Sequence, residues 1–96
     1  MRRDSVLQIL SKYKNDNFEK YGIDELGLFG SIARDEATSH SDVDICIKTR
    51  IPDMFMMVHI KDELQTLLSA RVDIVRVRDK MNTFLKTRIQ RDAIYV

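Results

Sequence analysis

The sequence is poor in the residues that cross-link or stiffen a chain. Its 96 residues include one cysteine, one proline, three glycines and no tryptophan. The single cysteine, Cys46, excludes an intrachain disulfide and a cysteine-based zinc site. No run of about 18 apolar residues is present, which argues against a membrane-spanning helix. The N-terminus also lacks the apolar stretch of a signal peptide, so we expect a cytoplasmic protein.

The sequence also has almost no net charge, because it contains 16 basic and 15 acidic residues, which give a formal charge of +1. Such a balance argues against duplex DNA as a partner, since nonspecific binding needs a large basic footprint. The charge is uneven, with seven basic and three acidic side chains in residues 71–96. That segment either faces an anion or is a solvated helix face, and the sequence leaves both readings open.

What is present is an apolar pattern that predicts one domain, residues 1–96, with alternating helices and strands. We expect an α/β or α+β sheet domain. We expect Asp4 or Ser5 to cap a first helix that is broken at residues 14–17. A second short turn, with Phe18 and Tyr21, follows the break, and Gly22 ends it. Further helices are predicted at 32–37, from Pro52 and Asp53 onwards, and at 81–89. The buried stripe of the helix that starts at Pro52 and Asp53 is predicted to be Met57, Ile60, Leu64, Leu67 and Leu68. Strands are predicted at 23–29, 42–48, 71–77 and 93–96.

Two carboxylates stand two residues apart at the start of the second strand. Asp42 and Asp44 leave the same face of an extended strand, about 6–7 Å apart. Like charges at this distance repel unless a cation lies between them, and Mg²⁺ prefers such oxygen ligands. An Asp-x-Asp pair alone is weak evidence, because two exposed residues at a strand start give the same pattern.

Three further features favour a phosphate and metal site. Gly30-Ser31 follows an apolar strand, and a glycine there lets the backbone approach a phosphate closely. Ten residues separate Ser31 from Asp42. Asp73 lies within the apolar run 72–75, where a carboxylate needs a metal or an arginine as partner. If its strand neighbours the Asp42 strand, three carboxylates can converge.

These residues resemble the nucleotidyltransferase motif of the DNA polymerase beta superfamily, and most of all its minimal nucleotidyltransferase branch of the HEPN/MNT antitoxin type. The resemblance lies in residues 28–36, in Ser41-Asp42-Val43-Asp44, in 72–75 and in 92–96. It implies a small mixed sheet with helices packed mainly on one face. One departure is Asp35, because members often have glycine directly after the arginine.

The resemblance also implies a mechanism and a partner. Asp42, Asp44 and Asp73 would be catalytic and would ligate two Mg²⁺ ions, with Asp73 helping to deprotonate an acceptor hydroxyl. Gly30 and Ser31 would hold the triphosphate, which we expect to be ATP. Such domains are often paired with a helical HEPN-type toxin, and in studied cases they act as antitoxins by transferring AMP onto a toxin tyrosine. Nucleotide identity, the choice between Mg²⁺ and Mn²⁺, and the oligomeric state stay open.

Other readings remain at this point. Arg34 is either a phosphate contact or part of a surface salt bridge to Asp35 or Glu36. The whole domain could bind a nucleotide or a toxin without turnover and neutralise its partner by occlusion. A calcium-binding protein is disfavoured because the segment lacks the glycine and the terminal glutamate of an EF-hand loop. An Asp-x-Asp phosphatase is disfavoured because that pair usually follows a hydrophobic strand. In the last helix, Phe84, Leu85 and Ile89 either dock a partner or cover the sheet.

Overall fold

Helices and strands alternate along the chain in the computed structural model, which describes residues 2–96. Among these residues, none of the helices combines the length and apolar character needed to cross a bilayer. The elements are α1 (Arg3–Tyr21), β1 (Ile23–Phe29), α2 (Gly30–Ala33), β2 (Val43–Thr49), α3 (Met54–Leu68), β3 (Val72–Arg76), α4 (Thr83–Asp92) and β4 (Ile94–Tyr95). This order is the one that the hydrophobic pattern predicts.

The strands form one mixed sheet in the order β3-β2-β1-β4. β1 is antiparallel to both β2 and β4, whereas β2 and β3 are parallel. Parallel neighbours need a crossover connection, and α3 provides it. Because β2 and β3 run in the same direction and Val43 pairs with Val72, the two strands begin side by side at the same end of the sheet.

One face of the sheet is closed by α1 and α3. In β2, Val43, Ile45 and Ile47 are fully buried on this face, as the alternation predicts. Each such side chain contributes about 1.5–3 kcal/mol when it is removed from water, so this face supplies most of the stability. The helices α1 and α3 pack on this face through side chains that are 3% exposed or less, namely Val6, Leu10, Tyr13, Ile60, Leu64 and Leu68.

The opposite face is only partly covered, by α4. Phe29, Cys46 and Ile89 form a second, smaller buried cluster there, against which Leu85 packs. Ile89 and Leu85 therefore cover the sheet, while Phe84 is 76% exposed. The helix lies on the β1 side, so the beginning of β2 and of β3 stays accessible on this face. This division of the helices confirms a sheet with its helices packed mainly on one face.

The boundaries differ from the prediction in α1. The helix begins after Arg2, whose side chain makes no capping hydrogen bond, and it continues through residues 14–17 to Tyr21. Two local contacts support the polar stretch: Asn17 donates to the Tyr13 carbonyl at 2.9 Å, and Lys12 pairs with Asp16 at 2.8 Å. The predicted cap at Asp4 or Ser5 and the predicted break are thus wrong, whereas the stop at Gly22, with φ of 64°, is confirmed.

The second long helix, α3, begins as predicted. The Asp53 carboxylate accepts a hydrogen bond from the Met56 backbone N–H at 3.1 Å and caps the helix. Of the predicted buried stripe, Ile60, Leu64 and Leu68 are buried. Leu67 is 53% exposed, because it lies at the edge of this stripe, about 100° around the helix from Leu68.

Candidate active site

The sheet register brings two acidic residues together. Asp44 on β2 lies directly beside Asp73 on β3, and on its other side Asp44 lies beside Phe29 on β1. Neighbouring strands are about 4.8 Å apart, so these three residues form a short row across the partly covered face. The structure thus confirms that the Asp42–Asp44 strand neighbours the Asp73 strand.

Asp42 lies just before β2, two residues from Asp44. The segment is held by the Val43 N–H, which donates to the Arg71 carbonyl at 2.9 Å. The Arg71 guanidinium is 4.0 Å from the Asp42 carboxylate, and both side chains are largely exposed. An exposed pair at this distance contributes little. Asp42 therefore remains available at an open pocket of about 450 Å³ lined by residues 39–42 and 69–71.

Burial and like charge make Asp44 the strained carboxylate of this group. Its pKa is raised, first by burial and then by the negative charge of Asp73, with a smaller contribution from Asp42. The positive charges of Arg88 and Arg34 act in the opposite direction. Within residues 2–96, no salt bridge includes Asp44 or Asp73. A cation placed between the two carboxylates would relieve their repulsion.

The carboxylates fit a magnesium ion in donor chemistry but do not enclose one by themselves. In the described part of the chain, no three histidine, cysteine or acidic side chains are close enough to hold a metal ion. Mg²⁺ usually takes one or two carboxylates and completes its shell with substrate phosphates and water. Asp42, Asp44 and Asp73 offer carboxylate oxygens of that kind, so the arrangement suits an ion that arrives with a phosphorylated substrate.

The Gly30-Ser31 turn lies directly against Asp44. Gly30 has φ of 79°, and a Cβ at this position would overlap the Asp44 carboxylate, so only glycine fits here. The Ser31 hydroxyl donates to the Ser41 hydroxyl at 3.3 Å, and Ser41 also accepts from the Thr38 N–H at 2.9 Å. Ser41 therefore joins the turn to the loop that precedes Asp42, a role that the sequence alone does not reveal.

Arg34 takes part in a salt-bridge network with the end of α4. Its Nη1 is 2.6 Å from the Asp92 carboxylate, and its Nε is 3.1 Å from Glu36. Arg91 binds the other oxygen of Asp92 at 2.8 Å. The Asp92 side chain is 3% exposed, and these arginines lower its pKa to about 2, Arg91 most of all. Of the two readings of Arg34, the salt bridge is the one present in the structure; a phosphate contact stays a prediction.

Asp35 adopts the backbone conformation for which glycine is best suited. Its φ is 62°, in the left-handed region, where aspartate is tolerated better than most residues. Its N–H donates to the Ile32 carbonyl at 3.0 Å and closes the short helix α2. The chain thus reaches the turn that a glycine would make, at the cost of some backbone strain.

Sequence comparison identifies the family to which this site belongs. The family model for the nucleotidyltransferase domain matches residues 10–96. This chain belongs to the nucleotidyltransferase domain family. It is also 32% identical to the protein adenylyltransferase MntA of Thermococcus cleftensis, over 97% of this chain and 94% of that protein. The chain is therefore a nucleotidyltransferase, with curated relatives named protein adenylyltransferases.

Solved structures share the fold of this nucleotidyltransferase. A toxin-antitoxin crystal structure with AMP-PNP matches 92% of this chain and 69% of the solved chain, with a TM-score of 0.76 and 22% identity. The complex of a tri-AMPylated Shewanella oneidensis HEPN toxin with an MNT antitoxin matches 97% and 70%, with a TM-score of 0.70 and 21% identity. Nucleotidyltransferases generally use a divalent metal such as Mg²⁺, which agrees with the carboxylate donor set.

Proposed function

We propose that this nucleotidyltransferase transfers AMP from ATP to a hydroxyl group on a HEPN-type toxin and thereby acts as an antitoxin. The observation that carries the proposal is the registered pair Asp44–Asp73 beside the Gly30-Ser31 turn. Support comes from the relative named as a protein adenylyltransferase and from the shared fold with the MNT antitoxin. Because the reaction consumes ATP, we place it in the cytoplasm.

In this proposal, the chain's residues divide between phosphate binding and metal binding. The N–H groups at Gly30 and Ser31, with the Ser31 hydroxyl, hold the β- and γ-phosphates. Asp42, Asp44 and Asp73 ligate two Mg²⁺ ions. When bound, these ions lower the pKa of the acceptor hydroxyl and neutralise charge on the leaving group. Arg34 is a further phosphate contact if it exchanges Glu36 for phosphate while keeping its bond to Asp92.

The transfer step is a displacement at the α-phosphorus of ATP. The acceptor oxygen forms a bond to that phosphorus, the bond to the bridging oxygen of the β-phosphate breaks, and pyrophosphate leaves with the electron pair. The proton of the hydroxyl passes to the Asp73 carboxylate, which is exposed at the edge of the site. The partner supplies the acceptor hydroxyl.

Intact-mass spectrometry of the partner tests the proposal. The chain is incubated with ATP, Mg²⁺ and a small helical HEPN-type protein, and the partner should gain mass in units of AMP. Replacing ATP by its α,β-methylene analogue should abolish the gain, because the scissile oxygen is missing. The variant Asp42→Asn with Asp44→Asn should also be inactive. A mass gain that persists in this double variant would overturn the assignment of the site.

Occlusion without turnover is the second candidate. It is favoured by one observation, namely that Asp35, in the left-handed turn after α2, adds a negative charge near the Gly30-Ser31 turn. Neutralisation of the partner's toxicity separates the two functions. Under transfer, Asp44→Ala loses neutralisation together with AMP addition; under occlusion, the variant still binds and neutralises the partner.

A further inference from the structure

Arg88 lies on α4, directly above the row of site residues. Its side chain is half-buried, and the guanidinium carbon is 5.7 Å from the centre of the Phe29 ring. Phe29 is the β1 member of the row and the direct cross-strand neighbour of Asp44. The positive charge of Arg88 therefore stands next to the half-buried Asp44 carboxylate.

Arg88 acts on Asp44 through its charge but forms no ion pair in the described part of the chain. Arg34 and Arg91, on the same side of the sheet, are both engaged by Asp92. By contrast, no salt bridge within residues 2–96 includes Arg88. A half-buried guanidinium has lost part of its hydration, and an incoming anion can replace what it has lost.

The position of Phe29 in the chain connects Arg88 with the phosphate turn. Gly30 lies against the Asp44 carboxylate, and Asp44 is the cross-strand neighbour of Phe29. A phosphate chain held at Gly30 and Ser31 would therefore lie near the Phe29 ring and the guanidinium above it. Arginine is well suited to this contact because its planar fork binds phosphate oxygens in pairs. Phe29 would keep the guanidinium in place through its ring face.

We propose that Arg88 is a further catalytic residue, one that contacts the phosphate chain of the bound nucleotide and stabilises the negative charge that grows there during transfer. This inference rests on the proposed function. It adds a cation supplied by α4 to a site otherwise built from β1, β2, β3 and the Gly30-Ser31 turn.

Two substitutions separate a phosphate contact from simple packing on Phe29. Arg88→Met keeps an apolar stem over the ring and removes the charge, whereas Arg88→Lys keeps both a stem and a charge. Arg78→Met is the matched control, since Arg78 is exposed in the loop before α4. The affinity for Mg²⁺–ATP is measured by calorimetry, kcat and KM by AMP transfer, and folding by thermal unfolding.

For Arg88→Met we expect ATP to bind about 10- to 100-fold more weakly, the range of one charged hydrogen-bonded contact. We also expect kcat to fall, Arg88→Lys to recover part of both losses, and Arg78→Met to behave like the wild type. A packing role predicts instead that Arg88→Met retains its ATP affinity and kcat, and that result would overturn the inference.

The same experiment distinguishes failure of this inference from failure of the proposed function. If the wild type transfers AMP and Arg88→Met does so equally well, Arg88 has no such role and the proposed function stands. If the wild type neither binds Mg²⁺–ATP nor transfers AMP, the proposed function is wrong and the role of Arg88 falls with it. If Arg88→Met has a much lower unfolding temperature than the wild type, the role of Arg88 is decided from Arg88→Lys, which preserves the stem and the charge. A lower ATP affinity and kcat in Arg88→Lys then support the phosphate contact, and unchanged values overturn it.

Discussion

The two faces of the sheet differ in the side chains that they carry and in how far helices cover them. On the face closed by α1 and α3, the side chains of β2 are aliphatic and fully buried. On the other face, the same strand presents Asp44 to a region that α4 leaves partly open. Strand alternation places these two sets of residues on one backbone. The closed face can therefore hold the fold together while the open face carries charges that would destabilise a core.

The polar groups of the two faces differ in the same way. Between α1 and α3, the hydroxyls of Tyr13 and Tyr21 donate to one oxygen of Glu63 at 3.1 and 2.6 Å. The bond to Glu63 raises the pKa of Tyr21 to about 12 and lowers that of Glu63. Glu63 thus has two hydroxyl partners, whereas Asp44 and Asp73 lie beside each other with like charge. The carboxylates without an opposing charge on the open face are the ones that we propose bind the metal ions.

The largest effect should come from the acidic residues of the open face. Asp42→Asn with Asp44→Asn should lower AMP transfer at least about 10³-fold, equivalent to about 4 kcal/mol of transition-state stabilisation. The free energy of unfolding should stay the same or rise, because the raised pKa of Asp44 shows that its charged form is disfavoured. Transfer kinetics and urea unfolding measure the two quantities.

The matched control for this double variant is Asp62→Asn with Asp79→Asn, which removes two exposed carboxylates elsewhere. It should retain full transfer. If the double variant at Asp42 and Asp44 lost as much free energy of unfolding as it lost transition-state stabilisation, the contrast between the two faces would disappear.

Next in size is a cavity on the closed face. Leu64→Ala should lower the free energy of unfolding by about 3 kcal/mol, because Leu64 is fully buried and its neighbours relax only in part. At temperatures where the variant is folded, kcat should be unchanged. Leu67→Ala, on the same helix but 53% exposed, is the control and should cost less than about 1 kcal/mol. Equal losses for the two leucines would contradict the described packing of α3.

A smaller effect is expected where the end of α4 meets Arg34, the residue that follows α2. Asp92→Asn should cost about 2 kcal/mol, since the nearly buried carboxylate accepts charged hydrogen bonds from Arg34 and Arg91. Because the pKa of Asp92 is lowered to about 2 in the folded state, its contribution is complete above about pH 4 and is lost as the pH falls towards 2. Urea unfolding of both proteins across this pH range should show their stabilities converging.

The control for that measurement is the exposed ion pair Lys12–Asp16. Asp16→Asn should lower the free energy of unfolding by less than about 0.5 kcal/mol. A wild-type stability that stays well above that of Asp92→Asn at pH 2 would show that the carboxylate is not the stabilising group.

The smallest effect concerns the strained turn after α2. Asp35→Gly should raise the free energy of unfolding by about 0.5 kcal/mol, since relief of the left-handed strain slightly exceeds the entropic cost of glycine. Ser69→Gly, at the other non-glycine residue with positive φ in the described part of the chain, should behave alike. A loss of stability in Asp35→Gly alone would mean that the carboxylate makes a contact that outweighs the strain.

The sequence predicts those parts of the molecule that depend on local pattern. Alternation in residues 43–47 and the apolar run around Asp73 are enough to place the strands and to suggest that their carboxylates meet. The prediction for α1 is wrong because Lys14 to Asn17 looks like a loop by composition, and its helical contacts to Tyr13 and Lys12 become visible only in three dimensions.

The rest depends on contacts between residues far apart in the chain. Asp92 binds Arg34 across 58 positions, and Arg88 reaches the ring of Phe29 from another helix. No periodicity in the sequence marks either contact, because each depends on how α4 packs on the sheet. The role of Ser41 is hidden for the same reason, since a serine in a polar loop has no signature of its own.

Calorimetric titration of ATP with and without Mg²⁺ tests the central claim most directly. If Asp42, Asp44 and Asp73 hold metal ions beneath the triphosphate, Mg²⁺ should strengthen ATP binding to the wild type at least about tenfold, or 1.4 kcal/mol. The same addition should give little gain in Asp44→Asn or Asp73→Asn. An ATP affinity that does not respond to Mg²⁺, or an equal response in all three proteins, would contradict the account.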